Sequence, residues 1–564
     1  MKVSIPWLKE LVDLNISFEE LINLLPLRSI SIKEVMNSYI ELDMKGYNRT
    51  DLLSMRGIAY EIAAITGSKV SFTEPEEVEF FWNKAGLPTA KVTVSDPKYA
   101  PFYTVTKIEG LKVEASPEEW IKKLKSCGLR SIDNITDITN LIMLEYGQPM
   151  HAFDARAVKD ETIIVRCAKK GERITTLDGK TRDLQVADLL ITDPQNPLGI
   201  AGVMGGKDSE INETTTTILL EAAIFDPVNI RKTVTHLGLP SEASKRFQHG
   251  LTKKRLLQAL NAAIKMYQKL GGKVAAVTIV GDYEDTDRII ELSSHRLNSL
   301  VGIEFRVEEV ENYLHQLNFN LKRVGANVNH PPGGIAWHVH PPFYRLDIEI
   351  EEDVIEEVAR MYGYEKIPAV KVSEIKPLQK ENPIFKTIDD LKQTLVDLGL
   401  TEVQTYSFFS TDVLNNFNAN KDDLIRVANP ISSETEYLRD WISPNLVEVV
   451  GKNLRQGFKD IAVFEIGKAF TVGTAGLPDE NYRLAIALCN GTDNPLAELY
   501  QIAQNLPFHL KGVKLTHPKG VQVFHPKRQM DCLAEVHLRI LNKLGIEKRV
   551  AVLEIGLESN SHSN

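Results

Sequence analysis

The spacing of apolar residues changes near residue 86, and this change constrains the fold more than any other feature of the chain. Apolar residues recur every three or four positions in segments 7–12, 21–25 and 52–66, as they do in amphipathic helices. From residue 91 the chain reads KVTVSD and then FYTVTKIEGLKV, whose alternation and β-branched content are typical of strands. Together the two patterns predict an α+β multidomain protein.

The chain is long enough for several domains, because 564 residues far exceed the usual domain size of about 150. We predict four parts: an N-terminal helical platform over 1–85, a strand-rich unit over 86–285, a small module over 286–370 and a final α/β region over 371–564. An acidic stretch at 74–79 separates the first two parts. The helix of 52–66 is expected to have Thr50 or Asp51 as its N-terminal cap.

The balance of charge is acidic, since 66 lysines and arginines against 76 aspartates and glutamates give 66 − 76 = −10. Bulk charge therefore does not indicate nucleic-acid binding. A local basic face can still attract RNA, because salt screens charges that lie beyond about a Debye length.

The four cysteines are scattered along the chain, at Cys127, Cys167, Cys489 and Cys532. They form no CxxC pair and have no histidine at zinc-ligand spacing, so neither a disulfide framework nor a structural zinc site is predicted. Lys9, Glu10 and Asp13 interrupt the stretch that a signal peptide needs apolar, and no run of about 18 apolar residues follows. We therefore expect a cytoplasmic protein with no membrane span.

The densest polar cluster lies between Asp133 and Asp154. Thr139 and Asn140 precede an apolar run, and His151 follows it close to Asp154. A histidine in this place is either a proton acceptor oriented by the carboxylate or a structural hydrogen-bonding residue. The residues alone leave both interpretations open.

The segment GIAGVMGG, residues 199–206, is rich in glycine. It lacks the Lys-Ser/Thr ending of a phosphate-binding loop and the strand-turn-helix setting of a dinucleotide-binding fingerprint. We interpret it as backbone packed closely around a pocket, where Gly202 lets a ligand lie against bare backbone.

Glu221 ends the apolar run of TTTTILLEAAIF, which is predicted to be a mostly buried strand. An unpaired carboxylate there would cost several kcal/mol, so it needs a partner. A structural hydrogen bond to the backbone or to an arginine explains it as well as a functional role does.

A cluster of acidic residues surrounds a second predicted helix. Asp353, Glu356 and Glu357 share one helical face, and Asp347 precedes the helix. Hard cations such as Mg²⁺ bind carboxylate oxygens, but acidic residues also favour a helix N-terminus. Spacing alone cannot separate these interpretations.

Seven strings resemble one family, the β subunit of bacterial phenylalanyl-tRNA synthetase. They are MKVSIPWLKELVDL, NRTDLLSMRGIAYEIAAITG, DITNLIMLEYGQPMHAFDA, GIAGVMGG, LLEAAIFDPVNIRKT, GLPSEASKRFQHG and DIEIEEDVIEEVARMYGYEKIP. They occur in the family's order and cover nearly the whole chain.

The resemblance implies an (αβ)₂ heterotetramer that charges tRNA(Phe) with phenylalanine. In such an assembly the α subunit binds ATP and phenylalanine, and the β subunit supplies structure, tRNA contacts and hydrolysis of mischarged Tyr-tRNA(Phe). It further implies a B3/B4-type editing domain at 86–285, a small B5-type domain at 286–370 and a class II synthetase catalytic-like antiparallel-sheet domain at 371–564. After Glu465 the chain has neither arginine motif of a working class II site, so we expect no adenylation by this chain alone.

By resemblance, the family's editing pocket corresponds to six positions: Thr139, Asn140, His151, Gly202, Glu221 and Ala243. A pocket for phenylalanine excludes an added hydroxyl only weakly, which gives a second, hydrolytic site its purpose. Glu221 would recognise the tyrosine hydroxyl by a charge-assisted hydrogen bond, and Gly202 and Ala243 would leave room for the ring. The catalytic assignment falls on His151, Thr139 and Asn140, which would hold the terminal ribose and position a water.

The resemblance also assigns the acidic cluster, Asp347, Asp353, Glu356 and Glu357, to a Mg²⁺ ion shared with the α subunit.

Two departures from the family concern tRNA. The usual OB-fold insertion after the first helices is missing, and the sequence stops at VAVLEIGLESNSHSN, where the family usually continues into an anticodon-binding domain. Thr50 also replaces a proline that is common in the family.

Two other functions remain open at this point. One is a scaffold subunit whose editing site has decayed, and the other is a free-standing aminoacyl-tRNA deacylase. A preformed pocket that joins His151 to Glu221 would favour a hydrolytic function, whereas a large apolar face on the C-terminal region would favour obligate assembly.

Overall fold

The computed structural model describes residues 1–73, 87–324, 334–370, 382–417, 419–473, 476–491, 494–506 and 531–557, and the backbone of 514–515. The chain divides into two compact units, Met1–Val370 and Lys371–Asn564. The acidic stretch of 74–79 and the expected domain start near residue 86 lie outside the described residues. Within those residues, no helix has the length and apolar character needed to cross a membrane.

The first unit begins with a helical platform. Its helices are α1 (Ile5–Leu11), α2 (Phe18–Arg28) and α3 (Met55–Thr66), and its strands are β1 (Lys2–Ser4), β2 (Val12–Asp13), β3 (Ile32–Val35), β4 (Tyr39–Leu42) and β5 (Lys69–Val70). The three helices share one apolar core, as their spacing predicts. Residues 43–50 lead from β4 directly to a 3₁₀ turn at Asp51–Leu53, so no domain is inserted between them.

The predicted cap of α3 is wrong. Ser54 caps this helix by accepting a hydrogen bond from the Gly57 N–H at 3.0 Å, because the 3₁₀ turn delays the helix to Met55. Thr50 instead donates its hydroxyl hydrogen to the Gly250 carbonyl oxygen at 2.9 Å. The side chain of Asp51 pairs with Arg49.

The middle of the first unit is rich in strands. They are β6 (Lys91–Val94), β7 (Phe102–Glu109), β8 (Met150–Asp154), β9 (Thr162–Cys167), β10 (Arg173–Thr175), β11 (Thr181–Asp183), β12 (Leu189–Thr192), β13 (Pro197–Ile200), β14 (Met204–Gly205), β15 (Thr217–Ile224) and β16 (Lys273–Val280). One sheet is antiparallel with the order β16-β7-β15-β8, and another has the order β14-β13-β12-β9-β6. The strands β10 and β11 form a hairpin around Gly179.

Helices cover the outer side of the first of these sheets. The helices of this region are α4 (Glu118–Ser126), α5 (Asn134–Tyr146), α6 (Pro227–Leu237), α7 (Glu242–Phe247) and α8 (Lys253–Lys269). Along β15, Leu219 and Ala223 pack toward the second sheet, whereas Leu220 and Ala222 pack against α5 and α8. Both faces of β15 are therefore buried, as its apolar run predicts.

A small module completes the first unit. It contains β17 (Ile290–Ser293), β18 (Asn320–Val324), β19 (Ala336–His340), α9 (Ser294–Val301), α10 (Val307–Gln316) and α11 (Glu351–Tyr362). Its sheet has the order β17-β19-β18, and its helices share one core with that sheet. The predicted helix that carries Asp353, Glu356 and Glu357 is confirmed as α11.

The second unit is built on a mainly antiparallel sheet. Its helices are α12 (Pro383–Asp397), α13 (Thr411–Phe417), α14 (Ser443–Arg455), α15 (Pro495–Gln504) and α16 (Leu538–Lys543). Its strands are β20 (Thr401–Glu402), β21 (Phe408–Phe409), β22 (Tyr437–Leu438), β23 (Ile461–Thr471), β24 (Asp479–Cys489), β25 (Lys514–Leu515), β26 (Cys532–Glu535) and β27 (Ala551–Gly556). The order β20-β23-β24-β27-β26-β25 is antiparallel in the centre and parallel at its two outer pairs. This confirms the predicted antiparallel-sheet fold.

Candidate active site

Strand register places two of the predicted residues side by side. In the antiparallel pair of β15 and β8, Glu221 lies directly opposite His151. Directly opposed side chains project from the same face of a sheet with their Cβ atoms about 5 Å apart. Since Leu219 and Ala223 flank Glu221 on this face, the side chains of Glu221 and His151 both point into the space between the two sheets.

A cavity of about 90 Å³ lies in that space. It contains four of the six predicted pocket residues, His151, Gly202, Glu221 and Ala243. The remaining walls are mainly apolar or backbone: Pro149, Met150, Phe153, Ile191, Gly199, Ile200, Val203, Met204, Gly205, Phe225 and Phe247. A cavity of about 150 Å³ holds benzene, so this space is smaller than that cavity but of the same order as a single aromatic ring.

Glu221 is the acidic residue of the cavity wall, and only 6% of its surface is exposed. Burial raises the pKa of its carboxyl to about 8, because an apolar surrounding disfavours the charged form. Among the described residues no arginine or lysine compensates it, and the Tyr103 hydroxyl is the group that lowers its pKa in part. The expected structural partner, backbone or arginine, is therefore not found, and the carboxyl faces the cavity.

His151 is held as a neutral imidazole. Burial lowers the pKa of its ring to about 4, and within the described residues its buried Nε2 has no hydrogen-bond partner. Its ring packs edge-on against Phe153 at 4.5 Å. Just before it, Gln148 donates to the Ala223 carbonyl oxygen at 3.0 Å, which ties this segment to β15. A neutral imidazole with a free nitrogen can accept a proton or a hydrogen bond from a ligand.

The expectation that Asp154 orients His151 is wrong. Residues 151 and 154 point to opposite faces of β8, because side chains alternate along a strand. The Asp154 carboxylate instead accepts hydrogen bonds from Arg156 at 2.7 Å and from Thr215 at 2.7 Å.

The glycine-rich segment forms the hairpin of β13 and β14 and supplies a cavity wall. Gly202 has φ +67°, and a Cβ atom there would lie 2.9–3.0 Å from Ile230, Phe225 and Phe247. A Cβ on Gly205 would lie 2.8 Å from the His151 ring. The segment therefore allows close approach of backbone to the pocket, and it is not a phosphate-binding loop.

Ala243 lies in the first turn of α7. Ser241 caps this helix by accepting from the Ser244 N–H at 3.0 Å, and its hydroxyl donates to the Val203 carbonyl oxygen at 2.7 Å. The cap thus fastens the helix to the glycine-rich hairpin, with Ala243 against the cavity.

Two predicted residues do not line the cavity. Thr139 lies on α5, and its hydroxyl donates to the Thr136 carbonyl oxygen of the same helix at 2.7 Å. Asn140 follows it on the helix and is also missing from the walls. Their role toward a ribose or a water stays a prediction, because it concerns the space outside the ring-sized cavity.

Sequence reasoning missed Tyr103, whose side chain is fully buried behind Glu221. The available signal was the alternation of FYTVTKIE, which places Tyr103 and Val105 on one face of β7. The sequence did not indicate which strand would pair with β7 and so bring Tyr103 close to Glu221.

Comparison with known proteins follows the same division of the chain. The B3/4 domain matches residues 99–272, the tRNA synthetase B5 domain matches 290–364, and the phenylalanyl tRNA synthetase beta chain CLM domain matches 367–557. The phenylalanine-tRNA ligase beta subunit of Syntrophus aciditrophicus is 32% identical over 546 residues, which cover 91% of this chain and 66% of that protein. That of Geobacter sulfurreducens is 36% identical over 452 residues, 78% of this chain and 54% of that protein. This chain belongs to the phenylalanine-tRNA ligase beta-subunit family.

Relative to the family, the chain spans between about half and two thirds of the length of these curated relatives. The B3/4 match includes the cavity, so the pocket belongs to the domain for which the resemblance implies editing. The four-part division of the chain stays a prediction in its detailed boundaries.

The acidic cluster assigned to Mg²⁺ lies in and before α11, but its carboxylates do not converge on one point. Asp353 caps the helix by accepting from the Glu349 and Ile350 N–H groups at 2.7 and 2.9 Å. Glu356 is exposed. The described residues contain no group of three or more potential ligands that could hold a metal ion.

Arginines occupy the two remaining carboxylates. Arg345 donates to Asp347 at 2.9 and 2.7 Å and also to Glu357. Arg360 donates to both oxygens of Glu357, at 2.8 and 2.6 Å. Burial alone would raise the pKa of Glu357, yet these arginines hold it well below its ordinary value. As arranged here, the cluster does not fit a hard cation, because Asp347 and Glu357 already accept charged hydrogen bonds from arginines and Asp353 accepts from the backbone.

The arginine network extends into the platform. Arg360 also donates to Glu61 of α3. Arg49 forms ion pairs with Glu61, at 2.8 Å, and with Asp51, at 2.6 Å. Although burial opposes it, the arginines lower the pKa of Glu61 to about 2. The network therefore connects α3 to α11 through charges that are almost wholly buried.

In the second unit, Glu465 of β23 is also compensated. It pairs with Arg439 at 2.8 Å and accepts from the Thr405 hydroxyl at 2.6 Å, all within the core around the sheet. A carboxylate engaged in this way is a structural partner.

Proposed function

We propose that this chain is the β subunit of a phenylalanine-tRNA ligase and that its first unit hydrolyses tyrosine from mischarged Tyr-tRNA(Phe). One observation carries the hydrolytic part: the uncompensated carboxyl of Glu221 in the wall of an otherwise apolar, ring-sized cavity. A buried carboxyl with no positively charged partner destabilises a fold, so its persistence favours a ligand that pairs with it.

The ligand chemistry follows from the walls. An apolar space of this size suits an aromatic ring, and a carboxyl at one wall suits a hydroxyl on that ring. Tyrosine satisfies both conditions. Phenylalanine would offer the Glu221 carboxyl no hydrogen bond inside the cavity, and a site built to bind a hydroxyl disfavours the analogue that lacks it.

The His151 ring lies directly opposite Glu221 on the neighbouring strand β8. Its neutral state and free Nε2 suit it to accept a hydrogen from the terminal ribose or from a water near the ester carbonyl. Thr139 and Asn140 would act with it outside the ring cavity. In hydrolysis the ester bond to the ribose breaks, the water oxygen joins the carbonyl carbon, and its proton passes to the ribose oxygen.

The partners of the proposal are an α subunit in an (αβ)₂ heterotetramer and tRNA(Phe), in the cytoplasm. ATP would be bound and used on the α subunit. The Mg²⁺ assignment is not carried into this mechanism, since Asp347, Asp353 and Glu357 already hold hydrogen bonds from the chain. Calorimetry during titration of the αβ complex with Mg²⁺ tests the metal assignment separately.

The decisive experiment uses the reconstituted αβ complex with preformed Tyr-tRNA(Phe). We expect Glu221→Ala to slow tyrosine release about tenfold or more, the effect of one lost hydrogen bond to a buried group, while phenylalanine charging stays within about twofold. Glu213→Ala, which removes an exposed acid of the same domain, serves as the control. Equal losses of charging and hydrolysis in Glu221→Ala would contradict a dedicated hydrolytic site.

The same assay separates the alternatives. A wild-type complex that charges tRNA and releases no tyrosine would identify a scaffold. Full hydrolysis by this chain without the α subunit would identify a free-standing deacylase. We expect no pyrophosphate exchange by the chain alone, because the second unit lacks the arginine motifs of a class II site.

A further inference from the structure

The register of β7 places a second side chain beside Glu221. In the antiparallel pair of β15 and β7, Glu221 lies opposite Val105 and Ala223 lies opposite Tyr103. Tyr103 is therefore the diagonal neighbour of Glu221 on the same sheet face, at a separation that a tyrosine side chain can span. His151 occupies the corresponding place on the other side, from β8.

Tyr103 is fully buried, and its hydroxyl has no partner at full hydrogen-bonding geometry among the described residues. A buried tyrosine hydroxyl normally finds an acceptor. Besides burial, the group that raises the pKa of Tyr103 is the Glu221 carboxyl, so the two polar groups lie within interacting distance. In return, the Tyr103 hydroxyl partly offsets the effect of burial on the pKa of Glu221.

The rest of the core fixes the Tyr103 ring. The centre of the Tyr103 ring lies 6.3 Å from the centre of the Phe225 ring, which itself lines the cavity. Tyr103 also belongs to the apolar core between the two sheets. The hydroxyl is thus carried by a central strand, whereas the terminal torsion of a glutamate is soft. The rigidly held Tyr103 hydroxyl can therefore fix the orientation of the more mobile Glu221 carboxyl.

We propose that the Tyr103 hydroxyl holds one carboxyl oxygen of Glu221 and so directs the other oxygen at the hydroxyl of an aromatic ring in the cavity. Tyr103 is then a positioning residue for selectivity, not a catalytic residue. The inference rests on the proposed function for its substrate, but its physical content is a preference for hydroxylated rings that can be measured without hydrolysis.

The test compares Tyr103→Phe with Tyr267→Phe in the full chain and in the αβ complex. Both changes remove one oxygen from a fully buried tyrosine. The Tyr267 hydroxyl, however, donates to the Ile135 carbonyl oxygen at 2.9 Å and lies in the core on the other side of the sheet. This control reports the effect of losing a buried hydrogen bond in the same domain.

The first readout is binding of p-cresol and toluene, followed by nuclear magnetic resonance. We expect the wild type and Tyr267→Phe to prefer p-cresol by about tenfold, and Tyr103→Phe to lose most of this preference. The second readout is steady-state hydrolysis of Tyr-tRNA(Phe). Here Tyr103→Phe should raise KM by about tenfold and leave kcat within about twofold.

The third readout is the pH profile of p-cresol binding. The titratable residues of the cavity wall are His151 and Glu221, and the charged residues of the adjoining α7, Glu242, Lys245 and Arg246, pair with one another. Because the Tyr103 hydroxyl favours the ionised carboxyl, its removal should move the Glu221 midpoint to higher pH. Removal of the Tyr267 hydroxyl should not move it.

Every outcome decides between the proposals. If Tyr103→Phe keeps the wild-type preference for p-cresol, the positioning role is overturned, whether or not tyrosine is hydrolysed. If the wild type prefers p-cresol and Tyr103→Phe does not, but no ester is hydrolysed, the positioning role stands and the hydrolytic function fails. If the wild type shows no preference at all, both are overturned.

Discussion

Replacing Glu221 by glutamine tests whether the folded chain is destabilised by the carboxyl in its cavity. The pKa of this acid is raised from 4.5 to about 8 on folding. Between these values the unfolded chain releases the proton and the folded chain keeps it, so stability should fall as the pH rises. Glutamine has nearly the same shape and cannot ionise, which removes this term.

The magnitude follows from the pKa. Each pH unit above 4.5 lowers the free energy of unfolding by about 1.4 kcal/mol, so the loss at pH 7 is about 3 kcal/mol. We therefore expect Glu221→Gln and the wild type to be about equally stable at pH 4.5. At pH 7 the variant should be more stable by about 3 kcal/mol.

The assay is urea unfolding of both proteins between pH 4.5 and pH 8, followed by circular dichroism. The first transition that differs between them reports the unit containing Glu221, since the chain has two compact units. Taking the difference between variant and wild type cancels the titration of other groups, including His151. Glu213→Gln, an exposed position in the same region, should show no such pH dependence.

A difference that does not change with pH would refute the reasoning. So would a glutamine variant that is less stable at pH 7, because that result means the Glu221 carboxylate is ionised and paired in the fold. In either case the cavity would not contain an uncompensated acid, and the basis for a hydroxyl-binding pocket would be lost.

Two further substitutions probe the cavity wall and the buried charges. Gly202→Ala adds a Cβ that meets the cavity walls, so it should lower the rate of tyrosine release in the αβ complex. Gly238→Ala is the control, because its φ is +58° and no atom lies near the added Cβ. In urea unfolding both variants should lose about 1–2 kcal/mol to backbone strain, and Gly238→Ala should show no other effect. Arg360→Met removes one of the two arginine partners from each of two buried carboxylates, Glu61 and Glu357, and should cost about 3 kcal/mol of unfolding free energy. Arg296→Met, which breaks a half-exposed pair, should cost about 1 kcal/mol or less. Intact stability in Arg360→Met would contradict the network described here.

Local patterns predicted the elements of the site well. The apolar run around Glu221 predicted a mostly buried strand, and β15 is buried on both faces. Gly202 was predicted to bring backbone close to a pocket, and it lies in the cavity wall with a left-handed backbone. These features depend on periods of two residues and on the steric needs of single positions, which neighbouring residues reveal.

Patterns of the same kind failed where the partner is distant. The acidic spacing around Glu357 suited a metal ion, yet Arg345 and Arg360 meet its carboxylate. Arg360 also reaches Glu61, which lies 299 residues away along the chain. A spacing rule describes which side chains share a helical face, but not which charges approach that face from elsewhere.

The chain alone determined which segments become helices or strands, which of their faces are apolar, and that one acid would be buried in a strand. Tertiary structure decided that β7 and β8 flank this strand, and therefore that Tyr103 and His151 meet Glu221. The reason is physical: side-chain direction follows from local backbone geometry, whereas strand order depends on the free energy of packing the whole domain.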